Sequence, residues 1–202
     1  MLRVLIADDH PVFREGLRQI LNETNDLVVA SEASNGIEVL KKVREGCCDV
    51  VLLDISLPGI NGIEILKHLK SEKTGIPILM LTMHPEEQYA IRALKAGASG
   101  YLTKESTPDE LVIAIRKISK GGKYVSSSLA EKLATEVGRK DAKASHEMLS
   151  DREYQIMLLI ASGKTVSQIA EILSLSIKTI STYRSRILEK MGMKTNAELT
   201  YY

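Results

Sequence analysis

The chain has 202 residues, 44% of them hydrophobic and 26% charged, and a formal net charge of +1. This size and composition allow a sizeable core in one large domain or two modest ones, with two as the stronger expectation. The charge is uneven: residues 1–120 carry 15 Lys and Arg against 17 Asp and Glu, whereas residues 121–202 carry 12 against 9, which permits a nucleic-acid partner without establishing one.

The N-terminus and the two cysteines indicate a cellular location. The first apolar run, residues 4–7, is short and is followed at once by two acids, which fits neither a secretory signal nor a membrane span. Cys47 and Cys48 are adjacent, and we interpret them as buried small apolar residues in a reducing compartment, with a vicinal redox pair as the weaker alternative. We therefore expect a cytoplasmic protein with no membrane partner.

Short apolar runs alternate with helical segments along the first 120 residues. Strands are predicted over residues 4–7, 27–30, 50–53, 78–81 and 100–103. Helices are predicted over residues 11–22, 37–45, 62–70, 86–96 and 108–120. Pro11 suits a first helical turn, and Gly97 and Gly121 stand just past helix ends. This alternation predicts an α/β fold, a flavodoxin-like doubly wound five-stranded parallel sheet with both faces covered.

A polar, serine-rich stretch separates this part from a second one. Residues 121–147 are predicted as a linker that contains a short helix near 129–137. The remainder lacks strand-like alternation and holds three or four helical segments, bounded by Ser150, Gly163, Ser176 and Gly192. We therefore predict a first domain over 1–120, a linker over 121–147 and an all-α domain over 148–202.

The carboxyl edge of the predicted sheet gathers polar side chains. Asp8 and Asp9 follow the first strand, Asp54 the third, Thr82 the fourth and Lys104 the fifth. If strands one, three, four and five are neighbours, these groups converge where open parallel sheets bind ligands. Clustered carboxylates need a cation or a shared proton, and oxygen ligands suit Mg²⁺. Asp54 could then act as a nucleophile toward a phosphoryl group held by Thr82 and Lys104, giving an aspartyl phosphate.

Each of these residues also has an ordinary structural explanation. An Asp after a strand commonly starts a turn or caps a helix, and an isolated Lys104 would be a solvated surface charge. Tyr101 alone would be a half-buried strand aromatic. The four histidines are scattered, and none is assigned as a ligand, although His84 is close enough to line the rim. Only the occurrence of all these residues together, at the ends of neighbouring strands, favours the phosphoryl site.

The second domain contains a pattern typical of two helices joined by a tight turn, in which Ser176 is the predicted cap of the second helix. That helix has an apolar face of Ile180, Ile187, Leu188 and Met191. Its other face is small-polar or basic, which fits the recognition helix of a helix-turn-helix unit, although solvated faces are often charged without binding anything.

The predicted DNA contacts are divided by the kind of group they meet. Phosphate contacts are assigned to Lys164, Thr165, Ser167, Lys178, Arg184, Arg186 and Lys190. Base contacts are assigned to Ser181, Thr182 and Ser185, and Thr179 is counted with the DNA-contacting residues. Arg184 projects beside the apolar face, and covering part of that face is the alternative role for its side chain.

The segments ADDH, LLDISLPGINGIE, MLTMH and GASGYLTK resemble the receiver domain of two-component response regulators over essentially all of residues 1–120. The resemblance implies that Asp54 is the phosphoacceptor. It implies a Mg²⁺ site made by Asp9 directly, Asp8 through a water, Asp54, and the backbone carbonyl of Ser56. It also implies that Thr82 and Lys104 sense the phosphoryl group and that Tyr101 is the switch aromatic.

The segment LSDREYQIMLLIASGKTVSQIAEILSLSIKTISTYRSRILEKMGMKTNAEL closely resembles the LuxR-type helix-turn-helix domain, so the whole chain resembles the NarL/FixJ family of response regulators. The resemblance implies a transcription factor whose partners are a sensor histidine kinase, promoter half-sites in DNA and, when phosphorylated, a second copy of the chain.

Two departures from the family pattern stand out. Many relatives carry a basic residue where this chain has Ser181, so we expect base readout to differ there. The chain ends at Tyr202, early in the expected last helix, which puts dimerisation through that helix in question.

Two alternatives to the transcription factor remain open. A helical domain that docks proteins rather than DNA is the first. A phosphatase of the haloacid dehalogenase type is the second, but it would need an acid where this chain has Ser56, so we expect no enzymatic turnover.

Overall fold

A computed structural model describes residues 1–137 and 145–202, which fall into two compact units, Met1–Arg139 and Lys140–Tyr202. Within the described residues, no helix combines the length and the apolar character that crossing a bilayer requires.

The first unit is built on a parallel sheet of five strands. The strands are β1 (Leu2–Ala7), β2 (Leu27–Ala33), β3 (Val50–Leu53), β4 (Ile78–Thr82) and β5 (Gly100–Thr103). Their spatial order is β2-β1-β3-β4-β5, and every neighbouring pair is parallel. The predicted α/β fold is confirmed, and the order makes β1, β3, β4 and β5 consecutive neighbours, as convergence of the polar residues requires.

Helices follow the strands within about one residue of the predicted bounds. They are α1 (Pro11–Asn22), α2 (Gly36–Arg44), α3 (Gly62–Ser71), α4 (Glu86–Lys95) and α5 (Pro108–Ser119). The main core lies between the sheet and α1 and α5, where Ile6 and Leu52 join Leu17 and Ile115. Val51, whose side chain points to the opposite face of the sheet, is also fully buried. Both faces of the sheet are therefore covered, which explains why the central strands are continuously apolar.

Strand β2 is longer than predicted. The prediction of 27–30 ended where the apolar run ends, but the strand continues to Ala33 through Glu32. Polar residues are tolerated because β2 is an edge strand paired only with β1. Arg14 and Arg18 both bond the Glu32 carboxylate. Partial burial raises the pKa of that carboxyl group, but the two guanidinium groups outweigh burial and leave the pKa below its usual value.

The turn from β3 into α3 depends on a glycine. Asn61 caps α3 by accepting a hydrogen bond from the Ile63 amide at 2.8 Å. The Gly62 amide donates to the Ile55 carbonyl at 2.9 Å, which folds the loop back onto the end of β3. A Cβ atom at residue 62 would overlap the backbone carbonyl oxygen of Asp54. Only glycine allows this close approach of two backbone segments.

Part of the predicted linker is folded against the first unit. Residues 121–126 follow α5, and helix α6 (Ser127–Val137) packs on α4 with Leu129 1% exposed. Composition alone did not reveal these contacts, because they rest on a few apolar residues within a polar stretch. Residues 138–144 lie outside the described part of the chain, and the three domain bounds stay a prediction.

The second unit consists of helices. After a short 3₁₀ turn at Ser145–Met148 come α7 (Asp151–Ala161), α8 (Val166–Ile172), α9 (Ile177–Met191) and α10 (Asn196–Tyr201). The predicted boundary residues act as expected: Ser150 and Ser176 cap α7 and α9, and Gly192 ends α9 with φ 68°. The all-α prediction for this part is confirmed.

Polar groups are buried in the second unit as well. Arg152, 4% exposed, donates to the Gln155 side chain at 2.7 Å and to the Leu173 carbonyl at 3.4 Å. The guanidinium therefore ties α7 to the end of α8. No periodicity in the sequence predicted this buried cation.

We expect Gly62→Ala to destabilise the first unit by about 2 kcal/mol, because a methyl group must displace the Asp54 carbonyl. Urea unfolding of the full chain measures the change. Gly16→Ala is the matched control: it lies within α1, where a Cβ would meet no atom within 4 Å, so we expect about 1 kcal/mol of stabilisation. Equal midpoints for the two variants would contradict the role given to Gly62.

Candidate functional site

The carboxyl edge of the sheet brings the predicted residues together. The Asp54 amide donates to the Ala7 carbonyl at 2.9 Å, and the Lys104 amide donates to the Thr82 carbonyl at 2.8 Å. These residues therefore extend the strand ladders by one step and are positioned by the sheet itself. Asp8 and Asp54 are 2% exposed and Thr82 is 0% exposed. Asp8, Asp54, Thr82 and Lys104 therefore lie buried at the carboxyl ends of neighbouring strands, as predicted.

Lys104 lies between two carboxylates. Its Nζ atom is 2.5 Å from Asp8 Oδ2 and 2.8 Å from Asp54 Oδ2, and its side chain is 4% exposed. Burial lowers the pKa of the Lys104 ammonium, but the charges and hydrogen bonds of Asp54 and Asp8 outweigh burial, so the pKa is raised overall. The alternative of a solvated surface charge is wrong for this lysine. It is the cation that balances the buried acids.

The same edge could also hold a metal ion. Asp8, Asp9, His10 and Asp54 each offer a ligand atom, and these atoms lie within 4.8 Å of one another. Among the described residues, Asp9 Oδ1 is buried without a hydrogen bond of acceptable geometry, although His10 Nδ1 lies 2.9 Å away. An oxygen in this state favours a cation nearby. Sequence reasoning left His10 unassigned, although its adjacency to the two acids was a usable signal.

His84 connects the other predicted residues of the site. Its backbone amide donates to Thr82 Oγ1 at 3.4 Å, and its backbone carbonyl accepts from the Tyr101 hydroxyl at 2.9 Å. Its Nε2 atom is 2.9 Å from Ser56 Oγ, and the Ser56 amide is 3.3 Å from Asp54 Oδ1. Burial lowers the pKa of the His84 imidazole despite the attraction of Asp54. His84 lines the rim as expected, and it also bridges the loops that follow β3 and β4.

Tyr101 is more buried than the half-buried strand aromatic that its position alone predicted. Its side chain is 0% exposed rather than half-buried. The hydroxyl bond to the His84 carbonyl ties β5 to the connection between β4 and α4. A change in the position of Thr82 or His84 would therefore reach Tyr101 directly.

An apolar groove beside the site was not predicted. The Lys104 ammonium lies 4.6 Å from the centre of the Phe13 ring on α1, which is a cation–π distance. The groove has a volume of about 510 Å³ and includes Val12 and Met83, which are 88% and 66% exposed. The high exposure of Val12 depends on how α1 packs and could not be inferred from the sequence.

In the second unit, α9 presents the predicted polar face. Its apolar residues are buried as expected: Ile180, Ile187, Leu188 and Met191. Its exposed residues include Lys178, Ser181, Thr182, Ser185 and Arg186. A depression of about 300 Å³ on this face is lined by Ser176, Lys178, Thr179, Thr182, Tyr183 and Arg186. Tyr183 is the member of this set that sequence reasoning missed.

The remaining predicted DNA contacts divide into exposed and internally bonded groups. Lys164 and Ser167 are exposed, and Thr165 caps α8 by accepting from the Gln168 amide. Arg184 donates to Asn196 Oδ1 at 2.5 Å, which matches the alternative that it covers the unit's own surface.

Lys190 also has an internal partner, because its Nζ atom is 2.6 Å from Glu153 Oε2. Burial raises the pKa of the Glu153 carboxyl group, but bonds from Lys190 and Ser150 outweigh burial and lower the pKa overall. The DNA contacts assigned to Arg184 and Lys190 stay predictions.

Two family descriptions match the chain. Residues 4–116 match the response regulator receiver domain, and residues 147–202 match the bacterial regulatory proteins of the luxR family. The response regulator UvrY of Escherichia coli strain K12 is 39% identical over 202 residues, which are 100% of this chain and 93% of UvrY. The response regulator GacA of Pseudomonas viridiflava is 40% identical over 200 residues, 98% of this chain and 94% of GacA.

A solved structure with the same fold covers the full chain. RcsB from Salmonella enterica serovar Typhimurium, bound to promoter rprA in the presence of the phosphomimetic BeF3−, is 27% identical with a TM-score of 0.67. The similarity covers 100% of this chain and 98% of RcsB.

We expect Lys104→Met to destabilise the first unit by about 3 kcal/mol in EDTA, because it leaves two buried carboxylates without their cation. A divalent cation should recover part of the loss by taking over the neutralisation. Urea midpoints with EDTA and with millimolar Mg²⁺ measure both effects. Lys41→Met, at an exposed lysine of α2, is the control. If the Lys104 variant has the same midpoint as this control, Lys104 does not compensate the buried charges of Asp8 and Asp54.

Proposed function

The chain belongs to the response regulators in which a receiver domain precedes a LuxR-type DNA-binding domain, and we propose that phosphorylation of Asp54 controls its binding to promoter DNA. It is accordingly a transcription regulator of a two-component system rather than an enzyme. The observation that carries the proposal is the buried contact of Lys104 with Asp8 and Asp54, which pairs the proposed phosphoacceptor with a cation at the carboxyl edge of the sheet.

The residues at this edge suit Mg²⁺. The ligands would be Asp9, Asp8 through a water, Asp54 and the backbone carbonyl of Ser56, so every donor atom is an oxygen, as Mg²⁺ prefers. The buried Asp9 oxygen without a hydrogen bond supports this fit. When bound, Mg²⁺ neutralises charge on the phosphoryl oxygens and so lowers the repulsion that Asp54 would otherwise meet.

The phosphoryl donor would be a phosphohistidine of a sensor kinase. An Asp54 carboxylate oxygen attacks phosphorus, the P–N bond breaks as the O–P bond forms, and the released electron pair stays on the imidazole nitrogen, which then takes up a proton. The Lys104 ammonium exchanges its bond to Asp54 for one to a phosphoryl oxygen, and the Thr82 hydroxyl donates to another. Both groups need only small movements, because Lys104 already contacts Asp54 and Thr82 ends the adjacent strand.

The new charge would be sensed through Thr82. Phosphorylation replaces the Asp54 carboxylate by a phosphoryl group that carries about two negative charges in a buried site, which favours any arrangement that brings the Thr82 hydroxyl closer. Thr82 is bonded to the His84 amide, and the His84 carbonyl holds the Tyr101 hydroxyl, so a shift of Thr82 would alter the position of Tyr101. This connection supports the assignment of Tyr101 as the switch residue.

The output would be DNA binding by α9. Lys178 and Arg186 would contact phosphates, while Ser181, Thr182 and Ser185 would face base edges in the major groove. The RcsB structure bound to promoter DNA supports this use of the second unit. Two phosphorylated copies would bind half-sites about one helical turn of DNA apart or a multiple of it. A DNA partner is consistent with the expected location in the cytoplasm.

We expect Asp54→Asn to abolish loading of beryllofluoride with Mg²⁺, because the amide oxygen lacks the charge that holds the analogue. Loading should raise promoter affinity about tenfold or more in the unsubstituted chain and leave the variant unchanged. Fluorine NMR measures loading, and fluorescence anisotropy with a promoter fragment measures affinity. Glu72→Gln, an acid of the same unit outside the site, is the control. A variant that still responds to the analogue would rule out Asp54 as the acceptor.

We expect the combined change Lys178→Ala and Arg186→Ala to reduce the slope of log affinity against log salt by about two, because two phosphate contacts are lost. Lys41→Ala in the first unit should leave the slope unchanged. Anisotropy titrations over several salt concentrations measure both. An unchanged slope in the double variant would remove these residues from the phosphate contacts.

A further inference from the structure

The segment after α5 covers the edge of the sheet at β5. The Tyr124 amide donates to the Ser99 carbonyl at 3.0 Å, and the Tyr124 carbonyl accepts from the Tyr101 amide at 3.2 Å. Tyr124 thus pairs with Gly100 in parallel, as a sixth strand of one residue. A Cβ at residue 100 would lie 2.8 Å from the Tyr124 carbonyl oxygen, so the approach needs a glycine.

The same segment is bonded to the start of α4. Ser126 Oγ donates to Glu86 Oε2 at 2.6 Å, and Glu86 is the first residue of α4. Ser126 Oγ also accepts from the Leu129 amide at 3.1 Å, which caps the start of α6. Leu129 is 1% exposed, and α6 packs on α4. We call residues 121–129 the strap, because they join β5 to α4 along the surface of the first unit.

The two elements joined by the strap are the two that carry the proposed switch. Tyr101 belongs to β5, and its hydroxyl reaches the His84 carbonyl in the connection that leads into α4. The backbone amide of Tyr101 is bonded to the strap at Tyr124. A shift of Tyr101, or of the chain between Thr82 and Glu86, would therefore change the distances that the strap spans.

The strap is held by few polar contacts. Gly121 and Gly122 bond the end of α5, and Tyr124 packs against the edge of the main core. Among the described residues, the polar contacts that reach β5 and α4 comprise one sheet bridge, the Ser126 bond to Glu86, a 3.4 Å bond from Ser128 to the same carboxylate, and a 2.6 Å bond from Lys123 Nζ to the Ala98 carbonyl. Segments with so few contacts open at lower free energy than the core. A modest difference between the two states of the switch is enough to change whether such a segment is closed.

We propose that the strap is a conformational relay: it is closed on β5 and α4 in the state described here, and it opens when phosphorylation rearranges Thr82, His84 and Tyr101, which frees the start of α6. This inference rests on the proposed function, since it needs phosphorylation at Asp54. It adds a physical path from the site to residues 121–137, through one backbone bridge and one serine–glutamate bond.

Hydrogen exchange of the full chain tests the relay. With beryllofluoride and Mg²⁺, the Tyr124 and Leu129 amides should exchange about tenfold faster than without them, whereas the Asp54→Asn chain should not respond. Fluorine NMR reports loading in the same samples. Loading without any change in strap exchange would overturn the relay and leave the proposed function intact. Absence of loading in the unsubstituted chain would overturn the proposed function and the relay together.

Two substitutions separate the relay from simple helix capping. Ser126→Ala removes both the bond to Glu86 and the cap of α6, whereas Glu86→Ala removes the acceptor of the Ser126 hydroxyl and leaves the cap in place. Both unloaded variants should exchange in the strap as fast as the loaded chain, and their promoter affinity should shift toward the loaded value. Ser127→Ala, at an exposed neighbouring position, is the control. If Glu86→Ala keeps slow exchange and the unloaded affinity, the relay is wrong.

Discussion

The balance of charge at the carboxyl edge of the sheet is the constraint on which the rest of the first unit depends. Two acidic side chains, Asp8 and Asp54, are each 2% exposed, and the Lys104 ammonium contacts both of them and compensates for their burial. Such a buried cluster contributes less to stability than apolar packing of similar volume would. Under the proposed function, a phosphoryl group on Asp54 would replace the contact that Lys104 makes with this residue. The parallel order of β1, β3, β4 and β5 holds the residues of the site in register.

The sequence allowed prediction of those parts of the fold that depend on local pattern. The central strands are apolar on both faces, so β1, β3 and β4 were predicted correctly. The prediction missed the last residues of β2, because Glu32 in that strand is stabilised by arginines distant in sequence. The acids and Lys104 were predictable because they stand at strand ends. The contact between Ser56 and His84 was not, because it depends on the side-chain rotamers of two loops. The covering of the β5 edge was not predictable either, because it depends on the backbone of a single residue, Tyr124.

The second unit also shows where prediction from local pattern ends. Helical periodicity identified the apolar face of α9, but it could not separate basic residues that face solvent from those that hold the unit together. Lys190 and Arg184 bond Glu153 and Asn196 respectively, and so they orient α9 against α7 and α10. The internally bonded cations fix the helix, whereas Lys178 and Arg186 lie on its exposed face.

The two outer strands of the sheet have a consequence for how copies of this chain behave at high concentration. An open strand edge is a template on which other chains can add strands and aggregate. On one side, the Lys42 ammonium donates to the backbone carbonyl of Glu32 in β2, so this carbonyl is not free to pair with another strand. On the other side, Tyr124 occupies the main-chain groups of β5 next to Gly100. A regulator that exposed its β5 edge during signalling would also gain a surface prone to self-association, and brief, reversible exposure keeps that hazard small.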